Sequence, residues 1–409
     1  MKTLIVFSHL RWNFVFQRPQ HLLTRLSKFY NILFVEEPLN TGSVFLEATL
    51  VAPNIMTLVP HTAEQGWGFN DEQVAVIGPM LKGWLEEHAN LTDSYGIWFY
   101  TPQALPLRDF YKSEPTELNA FNYHGDTIFN GTVGQPTPLG APEFVVFDVM
   151  DELSMFAHAP MSLKIRELEL LVSADLVIAG GPSLARAKQE VRPDTLSLPS
   201  SVDAEHYSPA RAEAAEASTH DADQLEHDIP HPRIGFFGVI DERLDIDLVA
   251  AVADANPHWQ VVMVGPVVKI NPDTLPKRSN IHYLGSQPYA LLPQLVQQWD
   301  VCMMPFAIND ATKFISPTKT LEYMAAEKPI VSTAIHDVIE LYGSVVEVGN
   351  THEEFISLIE MLLNEDPING AARVIQGKEL VKQYSWDETA DKVHQAIEAA
   401  IAKKVVLPV

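Results

Sequence analysis

Cysteine is almost absent from the sequence of 409 residues, which contains only Cys302. An internal disulfide, a cysteine-rich zinc site and an iron–sulfur cluster all need more thiols, so the sequence excludes them. Lysine and arginine are scarce as well, with 28 against 53 aspartate and glutamate residues and a formal charge of -25. An acidic chain lacks the basic face that binds nucleic acid, and we expect at most weak peripheral contact with an anionic membrane.

Long hydrophobic runs are also missing. The first seven residues are mostly apolar, but Ser8, His9 and Arg11 follow, so the run is too short for a signal peptide or a membrane-spanning helix. We therefore expect a cytoplasmic location. The sequence has no GxGxxG, Walker, HExxH or GxSxG pattern. This removes the main support for an NAD oxidoreductase, an NTPase, a zinc protease or an α/β-hydrolase.

Buried strands alternate with helices in two halves of similar size. Residues 2–7 and 31–35 form continuous apolar runs, typical of parallel strands covered on both faces, with a loop and a helix between them. The same alternation of apolar strands and helices begins again at Arg233. The fold class predicted is therefore α/β, with two Rossmann-like, doubly wound domains facing each other across a cleft.

An acidic segment separates the two halves. Between residues 212 and 230 the chain has six acidic residues and no lysine or arginine, which is typical of a linker. His220, His227 and His231 lie in or beside this segment, but we interpret it as solvated and flexible, and predict no metal site. The predicted parts are an N-terminal domain (1–208), the linker (209–232), a C-terminal domain (233–385) and a last helix (386–409) that crosses back to the N-terminal domain.

The segment SPTKTLEYMAAEKP, which starts at Ser316, carries the most chemical information. Ser316 is a good N-cap and Pro317 a good first helical residue, so free N–H groups together with Lys319 would form an anion site. Glu322 can share a helix face with Thr318 and Lys319, which suits a phosphate at the helix start and a ribose one turn along. The spacing alone fits equally well with a capped helix in which Lys319 and Glu322 only form a surface ion pair.

This segment resembles the donor-nucleotide motif of retaining GT-B glycosyltransferases, the family 4 or "glycosyltransferase family 1" clan. The resemblance implies that Glu322 binds the nucleotide ribose. The stretch GVIDERLD, from Gly238, resembles the clan's diphosphate loop, and residues 280–285 and 300–305 resemble the strands beside its base pocket. The donor-nucleotide residues implied are Gly238, Arg243, Leu284, Ser316, Thr318, Lys319 and Glu322.

The sequence departs from the clan's pattern at two positions. The donor motif usually has two glutamates separated by seven residues, and Phe314 stands where the first would be. That glutamate usually contacts the transferred sugar, so Asn309 and Asp310 become candidates for this contact. Val239 replaces the arginine that usually follows the loop glycine, which leaves Arg243 as the expected diphosphate cation.

The N-terminal half resembles a bacterial subgroup of this clan. The stretches RWNFVFQRPQHL (11–22) and FDVMDELSMF (147–156) carry the resemblance, and some members act on cell-surface polysaccharides of teichuronic-acid type. Arg11, Arg18 and His21 are candidates for contact with the donor sugar or the acceptor, although Arg18 could equally be a surface residue and His21 a packing residue.

Two acids are the candidates for catalysis. Asp148 and Asp151 follow a predicted strand, 144–147, at its carboxyl end, where an acid could act as general base or hold an acceptor hydroxyl. Asp151 could instead cap a helix. The resemblance also implies that no protein nucleophile is needed, because the departing diphosphate can take the acceptor proton and the protein stabilises its charge.

Together these observations predict a metal-independent glycosyltransferase of hexosyltransferase type that needs no cofactor. Its partners would be a UDP- or GDP-linked donor sugar and a saccharide or lipid-linked acceptor, in polysaccharide biosynthesis, and the resemblance implies retention of configuration. Two alternatives stay open. One is a nucleotide-sugar 2-epimerase, which shares the GT-B shape, and the other is a degenerate sugar-nucleotide-binding protein without catalytic activity.

Overall fold

The computed structural model describes residues 1–66, 68–88, 94–113, 123–124, 140–155, 159–216 and 225–406. They form two compact units. Unit 1 comprises Met1–Leu198 together with the chain from Asp387, and unit 2 comprises Pro199–Trp386. Each unit has its own mainly parallel sheet with helices between the strands, which confirms the predicted α/β class.

The sheet of unit 1 has the strand order β10-β9-β8-β6-β1-β2-β5-β4-β7, with β3 beside β5. Only β4 and β5 pair antiparallel among its described ladders. The strands are β1 (Lys2–Ser8), β2 (Tyr30–Glu36), β3 (Leu39–Asn40), β4 (Phe45–Ala52), β5 (Ile55–Thr62), β6 (Tyr95–Phe99), β7 (Tyr123–His124), β8 (Phe144–Val149), β9 (Leu176–Ala179) and β10 (Leu196–Ser197).

The helices of unit 1 cover this sheet. They are α1 (Arg18–Leu26), α2 (Asp71–His88), α3 (Met161–Ser173) and α4 (Pro182–Gln189). Strand β1 is buried from Thr3 to Ser8 because helices cover both faces, which explains its continuous apolar sequence. It pairs with β2 on one side and β6 on the other, so the strand order reverses beside β1. The carboxyl ends at such a switch point are where open α/β sheets bind ligands.

The sheet of unit 2 has the order β13-β12-β11-β14-β15-β16 and is parallel throughout its described ladders. Its strands are β11 (Arg233–Phe237), β12 (Gln260–Val264), β13 (Ile281–Gly285), β14 (Val301–Met304), β15 (Ile330–Thr333) and β16 (Glu347–Gly349). The strand order reverses between β11 and β14, so the loop after β11 lies at the switch point of this unit.

Eight helices named here as α5 to α12 belong to unit 2, in the part of the chain that the structure describes. They are α5 (Ala204–Tyr207), α6 (Pro209–Glu216), α7 (Ile246–Ala255), α8 (Leu292–Gln297), α9 (Lys319–Ala325), α10 (His336–Tyr342), α11 (His352–Leu363) and α12 (Pro367–Val381). The last helix, α13 (Trp386–Val406), starts in unit 2 and belongs to unit 1 from its second residue. No helix among the described residues is long and apolar enough to cross a membrane.

Contacts from the turn after α1 and from the first residue of β2 hold the last helix on unit 1. Asp391 pairs with Lys28 at 2.7 Å. His394 lies within hydrogen-bond distance of the Tyr30 hydroxyl, at 3.0 Å, and its ring stacks on Phe29 with the centroids 3.8 Å apart. An aromatic stack beside an ion pair gives this amphipathic helix both a packing and a charge anchor.

The unit boundary and the acidic segment differ from the prediction. The chain passes from unit 1 to unit 2 after Leu198, ten residues before the predicted end of the first domain. The predicted linker, 209–232, lies within unit 2, where it begins with α6. Residues 217–224, which include His220, lie outside the described residues.

Glu226 anchors the second part of this acidic segment in the core of unit 2. Its side chain is 1% exposed, accepts a hydrogen bond from Arg233 Nη1 at 3.0 Å and another from Trp299 Nε1 at 2.9 Å. Burial raises the pKa of Glu226, and the Trp299 and Arg233 contacts oppose this effect. A charged pair that is satisfied in this way makes residues 225–232 part of the folded unit.

We expect Glu226→Ala to lower the free energy of unfolding by about 3–5 kcal/mol, because it leaves the buried Arg233 guanidinium without its carboxylate. Equilibrium urea unfolding followed by circular dichroism measures this change. Glu213→Ala is the control, since Glu213 lies in the same acidic segment but is exposed. Its effect should stay under about 0.5 kcal/mol. Equal effects of the two substitutions would contradict a stabilising role for the buried network.

Candidate functional site

Lys319 lies against the loop that follows β11. A Cβ atom added to Gly238 would come within 2.2 Å of Lys319 Cε and 2.7 Å of its Nζ. The ammonium group is also 5.7 Å from the centroid of the Phe236 ring, within the range of a cation–π contact. The side chain therefore runs from the first residue of α9 to the switch point of the unit 2 sheet, as the phosphate role predicted for Lys319 requires.

Two glycines allow this close packing. Gly238 has a φ of 143° and Gly265 a φ of 144°, in a region that other residues rarely adopt. A Cβ atom on Gly265 would lie 1.8 Å from the Gly238 carbonyl oxygen, and Gly238 N–H donates to the Val264 carbonyl at 2.8 Å. The loop is thus fixed by β12, and its backbone leaves room only for the Lys319 side chain at this point.

The start of α9 differs from the prediction. The helix begins at Lys319, its N-cap is Thr318 in helical conformation, and no side chain caps it, so Ser316 is not the N-cap. The N–H of Thr320 donates to the Pro317 carbonyl and that of Leu321 to the Thr318 carbonyl. These 3-10-type turns pair the Thr320 and Leu321 N–H groups with carbonyls one residue nearer than an α-helix would. The Lys319 ammonium adds a full positive charge at this end of the helix.

Glu322 is buried at 7% exposure and does not belong to a surface pair. Burial raises the pKa of its carboxyl to about 7, and the Lys319 charge and the Tyr207 phenol oppose this shift. The carboxylate is therefore near its point of ionisation at neutral pH. Such a group can accept hydrogen bonds from hydroxyls when it is ionised, which fits the ribose role that the resemblance implies.

Arg243 is held by a neighbour that the sequence did not single out. Its Nη2 lies 2.8 Å from Asp241 Oδ2 and its Nε 3.0 Å from Asp241 Oδ1, and the aspartate side chain is 3% exposed. The two residues form a fork-like pair within the loop after β11. Its charge is thus partly neutralised, although the guanidinium keeps some exposure. The only sign of this pair in the sequence is that Asp241 and Arg243 stand two positions apart in the stretch DER.

The other predicted donor residues lie on separate loops and strands of unit 2. Leu284 is half-buried in β13, and its carbonyl accepts from Gln287 Nε2 at 2.7 Å. Asn309 caps a short 3-10 segment by accepting from the Thr312 N–H at 3.2 Å, which leaves Asp310 exposed beside it. Phe314, at the position of the missing glutamate, packs under Lys313. The sugar contacts predicted for Asn309 and Asp310 stay predictions.

In unit 1, Arg18 and Asp148 form one buried ion pair. Arg18 Nε donates to Asp148 Oδ2 at 3.0 Å and its Nη1 donates to the Leu198 carbonyl at 2.9 Å. The two residues are 1% and 0% exposed, and Asp148 lies inside β8 rather than after it. Burial raises the pKa of Asp148, against the opposing charge of Arg18. The pair gives both residues a structural role, so the predicted catalytic and substrate contacts stay predictions that the burial argues against.

Arg11 and His21, two further candidates of unit 1, also have partners. Arg11 Nη1 donates to Glu36 Oε2 at 3.1 Å, and His21 is 4% exposed with its ring 4.7 Å from that of Phe16. Asp151 is half-buried in the turn after β8. It does not cap α3, whose N-cap is Pro160, because that helix begins ten residues further on.

One group of potential metal ligands lies among the described residues, on α10. Ligand atoms of His336, Asp337 and Glu340 lie within 4.8 Å of one another. His336 and Asp337 form the first turn of this helix. His336 Nδ1 lies 3.4 Å from Glu340 Oε2, and both side chains are exposed, so a surface ion pair explains their proximity.

The burial of Glu322 predicts a change of stability with pH. In the folded protein the carboxyl has a pKa of about 7, above its ordinary value of 4.5. The folded state therefore binds more protons than the unfolded chain between these values, and the free energy of unfolding falls as the pH rises through this range. We expect Glu322→Gln to be more stable than the wild type at pH 8 by about 2–3 kcal/mol, and to have no such advantage at pH 4.

Thermal and urea unfolding at both pH values measure this difference. Glu360→Gln removes the same charge from an exposed position of α11 and is the matched control. If the control gains as much stability at pH 8 as Glu322→Gln, the gain comes from the overall negative charge of the chain and not from the burial of one carboxyl.

Comparisons with known proteins find one family model, one curated relative and many solved structures that are similar to this chain. Residues 231–365 match the family model described as Glycosyl transferases group 1. A curated relative, named as a candidate teichuronic acid biosynthesis glycosyltransferase (TuaH) of Bacillus subtilis (strain 168), is 24% identical over 139 residues. That match covers 32% of this chain and 35% of the relative, so it spans about a third of either protein.

Solved structures match over nearly the whole chain. Sucrose-phosphate synthase from Thermosynechococcus elongatus has a TM-score of 0.70 at 14% identity, with 98% of this chain and 100% of that chain covered. Anabaena Alr3699/HepE, solved with UDP and glucose, has a TM-score of 0.65 at 14% identity, with 97% and 100% covered. At such identities the likeness shows the fold, which is GT-B with two Rossmann-like domains. The comparisons therefore show a GT-B fold, and the region that is similar to the Glycosyl transferases group 1 model lies in unit 2.

Proposed function

We propose that the chain transfers a sugar from a nucleoside diphosphate sugar to a saccharide or lipid-linked acceptor, in the cytoplasm, during the synthesis of a cell-surface polysaccharide. The observation that carries this proposal is the position of Lys319 and Glu322. One side chain lies against the Gly238 loop at the switch point of the unit 2 sheet, and the other is a buried carboxyl one turn along the same helix.

The donor would bind with its diphosphate at Lys319 and its ribose at Glu322. The ammonium can neutralise one phosphate charge, and the ionised carboxylate can accept hydrogen bonds from the two vicinal ribose hydroxyls. Gly238, Ser316 and Thr318 would form the wall beside the phosphates, and Leu284 would contact the base. Arg243 would supply the second cation once the diphosphate competes with Asp241 for its guanidinium.

UDP is the nucleotide that we favour over GDP. Anabaena Alr3699/HepE was solved with UDP and glucose, and a trehalose-6-phosphate enzyme of E. coli, with a TM-score of 0.63, was solved with UDP-2-fluoro glucose. The relative named for teichuronic acid biosynthesis supports a polysaccharide as the product. These proteins support the proposal by similarity of fold and of part of the sequence.

The proposed reaction retains the configuration of the donor sugar and uses neither a metal nor a protein nucleophile. The bond between the anomeric carbon and the diphosphate breaks, and the acceptor oxygen attacks from the same face while its proton passes to the departing diphosphate. Lys319 and Arg243 would stabilise the charge that develops on the leaving group, which is the main contribution of the protein. Asn309 and Asp310 would contact the transferred sugar.

A binding protein without catalytic activity is the second candidate, and two observations favour it. Phe314 replaces the glutamate that would contact the sugar, and Asp241 already neutralises Arg243. A 2-epimerase has less support, because the buried Arg18–Asp148 pair offers no free acid or base. Incubation with UDP-glucose and GDP-mannose distinguishes the transferase, the binding protein and the 2-epimerase.

We expect slow hydrolysis of one donor to free sugar and nucleoside diphosphate without any acceptor, which proton NMR can follow together with the anomer first released. Glu322→Ala should reduce this hydrolysis at least about tenfold, because the ribose contact is lost. Binding of a nucleotide without hydrolysis or transfer would favour the binding protein. Conversion of the donor into its 2-epimer would favour the epimerase.

Lys319→Ala should weaken the binding of UDP by about 10- to 100-fold, because a charge-assisted contact with the diphosphate is lost, and should leave uridine binding nearly unchanged. Isothermal titration calorimetry with both ligands measures the two affinities. Lys313→Ala removes the same charge from an exposed residue six positions earlier and is the control. Equal losses for UDP and uridine would remove Lys319 from the phosphate site.

A further inference from the structure

Tyr207 lies outside the region that matches the family model, yet it packs beside the proposed ribose site. It is the last residue of α5, which contacts α9, and its side chain is 0% exposed. Its ring lies parallel to that of Phe237, at 6.0 Å between centroids, and edge-on to that of Tyr289, at 5.9 Å. The ring is therefore held from two sides, and the position of its hydroxyl is fixed.

The hydroxyl of Tyr207 is buried and makes no hydrogen bond of good geometry among the described residues, although the Glu322 carboxyl is near enough to act on it. Buried hydroxyls in native proteins nearly always have a partner, so an unsatisfied one points to a group that completes it in another state of the protein. The charged group that acts most strongly on this phenol is the Glu322 carboxylate. The phenol also acts on Glu322, since it opposes the effect of burial on that carboxyl's pKa.

We propose that Tyr207 is a positioning residue for the donor: in the donor complex its hydroxyl donates a hydrogen bond to one oxygen of Glu322 and leaves the other to the ribose hydroxyls. This inference rests on the proposed function and assigns the first segment of unit 2 to the nucleoside site. The carboxylate can rotate about its last bond, and a donor on one side selects the orientation that a ribose can use.

The other charged groups around α9 do not offer this contact. Lys319 is on the same helix and lies against the Gly238 loop. From α12, Lys378 pairs at 2.7 Å with Glu327, beyond the last residue of α9. The neighbouring Tyr323 hydroxyl accepts from the Phe237 N–H at 3.1 Å, on the β11 side. Tyr207 is a neutral donor that acts on Glu322 from another element of unit 2.

Tyr207→Phe tests the inference, because it removes the hydroxyl and keeps the ring. We expect the pKa of Glu322 to rise above its wild-type value in the ligand-free protein, as read by carbon-13 NMR of labelled glutamate carboxyls and assigned with Glu322→Gln. We expect the affinity for UDP at pH 7 to fall about five- to tenfold, and the pH at which UDP binding is half lost to move upward. Pyrophosphate, which needs only the Lys319 region, should bind as tightly as before.

Tyr342→Phe is the matched control, since Tyr342 is equally buried but its phenol interacts with Tyr384. It should change neither readout. Loss of UDP affinity with an unmoved Glu322 pKa would overturn the inference and show that the phenol touches the nucleotide directly. If UDP binds equally to wild type and Tyr207→Phe, the inference fails and the proposed function stands. If wild type binds neither UDP nor GDP, both fail.

Discussion

The burial of one carboxyl, Glu322, is the constraint on which the site of unit 2 depends. A carboxylate that is 7% exposed is stable only if nearby groups compensate for lost hydration, and here the compensation is partial. Lys319 provides charge, but its side chain also packs on the Gly238 loop, so helix α9 and the switch point of the sheet are linked through one residue. The pKa near neutrality is the cost of keeping an acceptor of hydrogen bonds in a dry position.

Unit 1 compensates for buried charge differently. Arg18 and Asp148 are both enclosed, and the arginine also donates to the Leu198 carbonyl at the last residue of the first part of unit 1. Such a pair seldom adds stability compared with apolar packing, but it connects α1 to β8 and to the backbone at Leu198. The same logic explains Glu226 and Arg233 in unit 2. Buried pairs fix the scaffold, and the half-compensated Glu322 is available for a ligand.

The sequence predicts the fold well for two reasons. Buried parallel strands have continuous apolar sequences, and strands alternate with helices in both halves of the chain. The spacing of Lys319 and Glu322 also predicts their shared helix correctly. The start of α9 is missed because Pro317 permits both a helical first turn and the tight turn that forms. Tyr207 is missed because it is 115 positions before Glu322, and no local pattern indicates that contact. Glu226 is missed because one buried acid among six looks like the others.

The overall charge sets a last condition on the site. Residues 201–409 carry 15 lysines and arginines and 31 aspartates and glutamates, so the half proposed to bind a diphosphate is itself strongly anionic. The long-range field therefore opposes the ligand, and salt screens this effect over about 10 Å. In the proposed complex, binding would depend on contacts within a few ångströms, from Lys319 and from Arg243 after it exchanges Asp241 for phosphate. Under this proposal, Asp241 would hold Arg243 until the ligand arrives, and the competing carboxylate would limit binding to ligands that can replace it.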